Sequence, residues 1–163
     1  MSYDLMVFQK DSAPKNRIDF MRWYQEQIEW KESHDYNDPV NTSEELRNWF
    51  MEMIKTFPPL NGPLATEDFN SSNASDYSIG NEVIYVGFSW SVADEARKAM
   101  IDLAEKYLVG FFDVSNDNPE IYFPVNGKLV PIDNLNTQKA SNISNISKTK
   151  SKTWWKFWQH RKN

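Results

Sequence analysis

Four acidic side chains and one imidazole fall within one short segment of the chain, and they are the residues most able to do chemistry. They are Glu29, Glu32, His34, Asp35 and Asp38. A histidine oriented by a carboxylate can act as a general base, and the same side chains can bind a metal ion. The alternative is a solvated helix end followed by a loop. We favour that alternative because the chain has only one other histidine, His160, and no recognisable catalytic motif.

A second set of polar side chains follows three predicted strands. In parallel α/β sheets, ligands bind beside the loops that follow the carboxyl ends of the strands. Those loops would be residues 9–14, 89–91 and 113–120, and they supply Asp11, Ser89, Trp90, Ser91, Asp113, Ser115 and Asp117. A pocket is one interpretation. Capping and turn formation by Ser91 and Asp113 is the other, and we favour it. We therefore predict no catalytic residue, no metal site and no cofactor.

Acidic and aromatic side chains are mixed in several predicted loops, and this mixture is typical of a surface that binds a basic protein. Aromatic anchors supply binding energy in such interfaces, and charges steer the partner. The same composition also fits an ordinary solvated surface. The predicted contact residues are Trp30, Glu32, His34, Asp35, Tyr36, Asp38, Glu67, Asp68, Asp76, Tyr77, Asp113 and Asp117.

The elements that must position these residues can be predicted from apolar periodicity. Residues 2–8 predict a strand and residues 16–32 a helix. A second helix starts at Thr42, where Thr42 and Glu45 fit a capping box. Its apolar residues follow helical spacing, and Pro58 and Pro59 end it. Residues 61–79 are polar and predict a long surface loop.

Residues 81–115 predict a strand, a helix and a strand, which favours a right-handed parallel crossover. Residues 120–125 and 128–132 flank Asn126-Gly127, a dipeptide that favours a two-residue hairpin turn. The predicted fold is a single-domain α/β sandwich of order β-α-α-β-α-β-β. Its sheet would be mixed, with four or five strands and a C-terminal hairpin.

The charge of the chain is divided unevenly along its length. Residues 1–138 contain 11 of the 18 basic residues and all 23 acidic residues, a formal charge of −12. Such a body repels nucleic acid and attracts basic partners, although acidity can also serve solubility alone. The chain lacks cysteine, a signal peptide and any membrane-length apolar run, so we expect a cytoplasmic protein.

The C-terminal end of the chain differs from the body. We predict an acidic domain over residues 1–134, a flexible polar linker over 135–153 and a basic aromatic tail over 154–163. The tail carries Trp154, Trp155, Phe157 and Trp158 among Lys and Arg. It could bind a membrane surface, or nucleic acid, or fold onto the acidic body of its own or a neighbouring chain. We rank docking on the acidic body, or a tail without fixed structure, above membrane binding. Association with a second copy of the chain stays open.

Several segments together carry a resemblance. They are SYDLMVF, WKESHDYNDP, FPPLNGP, IYVGFSWS and VGFFDVS, all within residues 1–132. With them the chain resembles small acidic uncharacterised bacterial proteins, and it is similar in kind to the immunity proteins that accompany bacterial toxins. The resemblance implies a non-enzymatic module that binds and neutralises a cognate toxin domain. Two alternatives remain: a small metal-dependent or general-base hydrolase using His34 and nearby carboxylates, and a peripheral membrane or assembly factor acting through the tail.

Overall fold

The computed structural model of the chain describes residues 1–135. The chain divides into two units, Met1–Ile132 and Asp133–Asn163, and the first contains all the strands and α-helices described below. The predicted linker, apart from Leu135, and the predicted tail residues Trp154, Trp155, Phe157 and Trp158 lie outside the described residues.

The described part of the chain forms six strands, three α-helices and three short 3-10 helices. The strands are β1 (Tyr3–Phe8), β2 (Asp76–Ile79), β3 (Val83–Phe88), β4 (Gly110–Asp113), β5 (Glu120–Val125) and β6 (Lys128–Pro131). The α-helices are α1 (Arg17–Gln27), α2 (Glu44–Met53) and α3 (Ala93–Tyr107). The 3-10 helices are Pro39–Asn41, Trp90–Val92 and Ile132–Asn134. Within residues 1–135, no helix has the length and apolar character needed to cross a membrane.

The six strands form one sheet in the order β2-β3-β1-β4-β5-β6. Strand β1 lies between β3 and β4 and is antiparallel to both, so β3 and β4 run in the same direction but do not pair with each other. Mixed α and β structure is confirmed. The predicted mixed sheet is wrong, because every pair of neighbouring described strands is antiparallel. The sequence could not show that β1 would insert between the two strands of the predicted crossover.

Helices pack against both faces of this sheet. Leu5 and Val7 of β1 belong to a core formed with α2 and α3. The alternate residue Phe8 faces the other way and contacts Phe20 of α1, with the ring centroids 5.0 Å apart. Because side chains alternate along a strand, β1 contributes to two separate apolar layers.

Helix α2 has the apolar stripe that its spacing predicts. Leu46, Trp49, Phe50 and Met53 are all buried. The predicted cap is wrong by one residue, since the Ser43 hydroxyl accepts the hydrogen bond from the Leu46 amide. The Thr42 hydroxyl instead donates to the carbonyl of Asn81, which attaches the start of the helix to the β2–β3 turn.

The other two helices begin or end differently from the prediction. Helix α1 ends at Gln27 rather than near residue 32, and Trp30 has a left-handed backbone with φ of 50°. Before α3, Ser89 caps the 3-10 turn Trp90–Val92, so Ser91 is not the helix cap. Both differences come from tight turns that apolar periodicity does not report.

One strand was missed and one hairpin is confirmed. Strand β2 lies in the segment predicted to be a surface loop, where only Tyr77 and Ile79 provide an apolar alternation. The β5–β6 hairpin forms as predicted, with positive φ at both Asn126 and Gly127.

Gly110 provides a test of this packing. A Cβ atom there would lie 2.1 Å from the Phe8 ring, whereas a Cβ on Gly87 would meet nothing closer than 3.4 Å. Overpacking of this kind is destabilising, so we expect Gly110→Ala to lower the free energy of unfolding by about 3 kcal/mol. Gly87→Ala, the matched strand substitution, should change it by less than about 1 kcal/mol. Urea unfolding followed by circular dichroism measures both; equal stabilities for the two variants would contradict this packing.

Candidate functional site: an acidic pocket with aromatic walls

A cross-strand row of three residues forms the floor of a pocket on the α1 side of the sheet. Asp76 of β2 pairs with Gly87 of β3, and Gly87 pairs with Asp4 of β1. Residues paired across neighbouring strands project to the same face. Because Gly87 has no side chain, a hollow remains between the two carboxylates. The Asp4 carboxylate leans over it, since a Cβ on Gly87 would lie 3.4 Å from Asp4 Oδ1.

The walls of this hollow are mainly aromatic. Tyr85 lies two residues before Gly87 on the same strand face, Tyr24 comes from α1, and Trp30 comes from the loop after α1. The Trp30 and Tyr85 rings are nearly perpendicular, at 89°, with centroids 6.4 Å apart. The resulting space has a volume of about 390 Å³. We call it the Asp4–Asp76 pocket; its lining residues are Ser2, Asp4, Tyr24, Ile28, Trp30, Asp76, Ser78, Tyr85 and Gly87.

The two tyrosines of the pocket are held in their neutral form. Burial, and then the negative charge of Asp4, raises the pKa of the Tyr85 phenol. The same two causes, in the same order, raise the pKa of Tyr24. Both rings therefore stay protonated at neutral pH and present hydroxyl groups beside the Asp4 carboxylate.

The carboxylates of the pocket have no basic partner among the described residues. Asp4 is half-buried and Asp76 is exposed. Within residues 1–135, no Lys or Arg forms an ion pair with either of them. The described residues also contain no group of three or more His, Asp or Glu side chains arranged to hold a metal ion. The pocket therefore combines unpaired negative charge with aromatic surface.

The loop that carries Trp30 is fixed by several contacts. The Trp30 ring packs against Tyr36, with centroids 5.0 Å apart, and the carbonyl of Tyr36 accepts a hydrogen bond from the Ile79 amide at 2.7 Å. Both Trp30 and Tyr36 have left-handed backbones, at φ of 50° and 59°. Non-glycine residues adopt this conformation only where their surroundings hold them there. The aromatic wall is therefore held in place before any ligand arrives.

Side chains of the predicted His34 cluster also help to fix the loop that carries Trp30. The Nε2 atom of His34 contacts the Glu32 carboxylate, and its Nδ1 accepts a hydrogen bond from the Tyr36 amide. The Glu32 carboxylate also accepts from the Asn81 amide, at 3.0 and 3.2 Å. Both ring nitrogens of His34 are thus engaged within the chain, so neither is free to take a proton from a substrate.

The pocket considered at the carboxyl ends of the strands, which was the less favoured of two interpretations, depends on three loops meeting at one end of the sheet. Because β1 is antiparallel to β3 and β4, the loop with Asp11 lies at the opposite end of the sheet from Ser89–Ser91 and Asp113–Asp117. The three loops therefore do not meet at one end of the sheet. Ser89, Trp90 and Asp113 instead lie at the end of the sheet where β1 begins.

Asp113 has a structural partner. It is 3% exposed, and its Oδ2 accepts from Arg97 Nε at 3.0 Å and from the Tyr3 hydroxyl at 3.4 Å. Arg97 also donates to Glu120 at 2.7 Å, so one guanidinium bridges two carboxylates. The Tyr3 ring in turn packs against Trp90, at a centroid distance of 5.0 Å.

The predicted contact residues fall into three groups. Trp30 and Asp76 line the Asp4–Asp76 pocket, whereas Tyr77 and Asp113 are buried and so are not available to a partner. Tyr77 faces the opposite side of the sheet from Asp76, and its hydroxyl donates to the Phe57 carbonyl. The remaining predicted residues lie in loops, exposed or half-buried: Glu32, His34, Asp35, Tyr36, Asp38, Glu67, Asp68 and Asp117.

Seven of the nine lining residues are absent from the predicted contact residues: Ser2, Asp4, Tyr24, Ile28, Ser78, Tyr85 and Gly87. Asp4 offered a signal, because it is the only charged residue in the otherwise largely apolar strand predicted over residues 2–8. A charge in such a strand needs a partner or a functional reason. The others become neighbours only through the long-range pairing of β1, β2 and β3 and the packing of α1 against that part of the sheet, which no local pattern reveals.

The buried phenol of Tyr3 predicts a pH effect on stability. Burial, and then Asp113, raises the pKa of Tyr3 to about 12. An unfolded tyrosine titrates near pH ~10, so the stability that depends on the protonated phenol is present below that pH and lost as the pH rises toward ~12. The Tyr3→Phe variant has no phenol to ionise, so it does not lose stability in this way as the pH rises. Its free energy of unfolding relative to the unsubstituted protein should therefore rise between about pH 9 and about pH 12. Urea unfolding at several pH values measures the difference; a constant difference would contradict the assignment.

Comparison of the chain with protein-family models, with curated proteins and with solved structures gave no significant match. Function therefore has to be inferred from the chemistry of the site itself.

Proposed function

We propose that the protein is a non-enzymatic binding module that captures a basic protein partner at the Asp4–Asp76 pocket. The observation that supports this most strongly is the pair of carboxylates, Asp4 and Asp76, which no described basic side chain neutralises. A cationic group on a partner would supply the missing charge. The aromatic walls would supply contact area that costs little side-chain entropy.

The charge of the whole body supports the same proposal. Residues 1–138 contain 11 basic and 23 acidic residues, so a basic partner would be attracted over a distance before contact. The exposed loops with Glu67, Asp68 and Asp35 would extend this field around the pocket. Charges of this kind increase the association rate more than the affinity. Contacts within the pocket therefore have to provide most of the binding free energy.

An exposed tryptophan adds a second contact at the same end of the sheet. Trp90 is 53% exposed and rests on the Tyr3 ring, directly after β3. Tryptophan is among the residues that contribute most to protein interfaces. Because Tyr3 faces the α2 and α3 side, a partner that fills the pocket would meet this ring by extending past the start of β1.

Within this class, we favour a toxin-neutralising immunity protein that acts in the cytoplasm. Neutralising a toxin domain requires tight, electrostatically steered binding and no chemistry in the binder, and the resemblance of the chain points in the same direction. The hydrolase alternative is less favoured, because both ring nitrogens of His34 are engaged by Glu32 and Tyr36. The alternative through the tail concerns residues outside the described part of the chain.

The proposal predicts that a partner will depend on the pocket charges. We expect full-length protein used as bait in lysate of its source cells to retain a basic protein, and Asp4→Asn with Asp76→Asn to retain at least ~10-fold less, since lost interfacial charge pairs cost about 2 kcal/mol or more. The control is Glu44→Gln with Glu95→Gln, which removes the same charge from exposed positions of α2 and α3 and should retain nearly as much.

The captured protein then has to behave as a toxin. Expressed alone, it should arrest growth. Co-expression of the present chain should restore growth, and the Asp4→Asn, Asp76→Asn variant should restore it poorly. Equal capture by both double variants, or a partner that leaves growth unchanged, would contradict the proposed function.

A further inference from the structure

The Asp4–Asp76 pocket has the composition of a receptor for an organic cation. Two carboxylates stand on either side of Gly87, and three aromatic rings surround them. Carboxylates neutralise a cation, and aromatic faces attract one through the quadrupole of the ring. Aromatic rings are not metal ligands, and two carboxylates separated by a strand make a poor metal site, so an organic cation fits the donor set better than an inorganic ion.

The spacing of the carboxylates distinguishes between organic cations. Neighbouring strands lie about 4.8 Å apart, which places the Cα atoms of Asp4 and Asp76 roughly 10 Å apart across Gly87. A planar guanidinium has N–H donors on opposite edges and can contact two carboxylates at once. An ammonium group is a compact point charge that would reach one carboxylate well and the other poorly.

A guanidinium held between two carboxylates already occurs elsewhere in the molecule. Arg97 lies between Asp113 and Glu120, which pair directly across β4 and β5, at N···O distances of 3.0 and 2.7 Å. Its guanidinium carbon also lies 5.7 Å from the centroid of the Phe111 ring. Two strand-borne carboxylates and an aromatic ring thus hold one guanidinium there. The Asp4–Asp76 pocket has the same kinds of groups at a wider spacing, without a described basic side chain between them.

We propose that the Asp4–Asp76 pocket binds the guanidinium group of an arginine side chain presented by the protein partner. This rests on the proposed function and names the chemical group that the site recognises. The guanidinium lies over Gly87 and pairs with both carboxylates, while the aromatic rings of Trp30 and Tyr85 flank it. Any side chain at position 87 would occupy the space that the guanidinium needs.

A small-molecule titration tests the inference without the partner. The ligand is Nα-acetyl-arginine amide, added to full-length ¹⁵N-labelled protein and followed by NMR. We expect saturable binding with a dissociation constant on the order of 1 mM, which suits a ligand of this size. The shifted amides should centre on Gly87 and Ser78. Nα-acetyl-citrulline amide, which has nearly the same shape but no charge, should bind at least ~10-fold more weakly.

Substitutions in the pocket identify the groups that hold the ligand. Asp76→Asn changes an exposed residue of an edge strand, and Gly87→Ala places a methyl group in the hollow. Each should weaken binding at least ~10-fold while the remaining spectrum stays that of the folded protein. The control Glu95→Gln removes one charge from an exposed position of α3, outside every predicted contact residue, and should leave the dissociation constant within ~2-fold.

Several results would overturn the inference. They are saturable binding of Nα-acetyl-lysine amide that is as tight as that of the arginine ligand, equal binding of the citrulline ligand, or arginine binding unaffected by Gly87→Ala. The two proposals can fail separately. Arginine binding without any captured toxin would remove the proposed function alone, and capture of a toxin without arginine binding would remove this inference alone.

Discussion

The pairing of β1 on both of its edges is the constraint on which the rest of the structure depends. Hydrogen bonds to β3 and β4 use its backbone fully, and alternation assigns each of its side chains to one of two apolar layers. Four consecutive residues of this strand, Leu5 to Phe8, are completely buried. The close approach of Gly110 to the Phe8 ring shows how tightly this centre is packed.

The apolar strand β1 becomes polar at its start, where Tyr3 and Asp4 project to opposite faces of the sheet. The polar contacts on the two faces differ. On the α2 and α3 side, Arg97 lies between Asp113 and Glu120, and the Tyr3 hydroxyl also donates to Asp113. On the α1 side, Asp4 faces Asp76 across Gly87 with no described cation between them. The carboxylates on the α2 and α3 side share a basic partner, whereas those on the α1 side have none among the described residues. This difference is the physical basis for proposing a binding site on the α1 side.

Local signals in the sequence predicted local structure well and long-range structure poorly. The stripe of α2 and the Asn126-Gly127 turn were predictable because each depends on residues close together in the chain. The position of β1 was not, because antiparallel pairing with β3 and β4 spans many residues and leaves no periodic trace. The pocket had the same difficulty, since Asp4, Tyr24 and Asp76 come from three separate segments. Only the isolated charge of Asp4 in an otherwise apolar strand indicated that something other than packing was needed there.

The central claim is that Asp4 and Asp76 supply the negative half of an ion pair whose positive half lies on a partner protein. A double-mutant cycle measures this most directly, by combining Asp76→Asn with replacement of the partner's arginine by glutamine and comparing the four binding free energies by calorimetry. The account predicts a coupling energy of about 1.5 kcal/mol or more between the two positions. A coupling energy near zero, with the two substitutions simply additive, would contradict it.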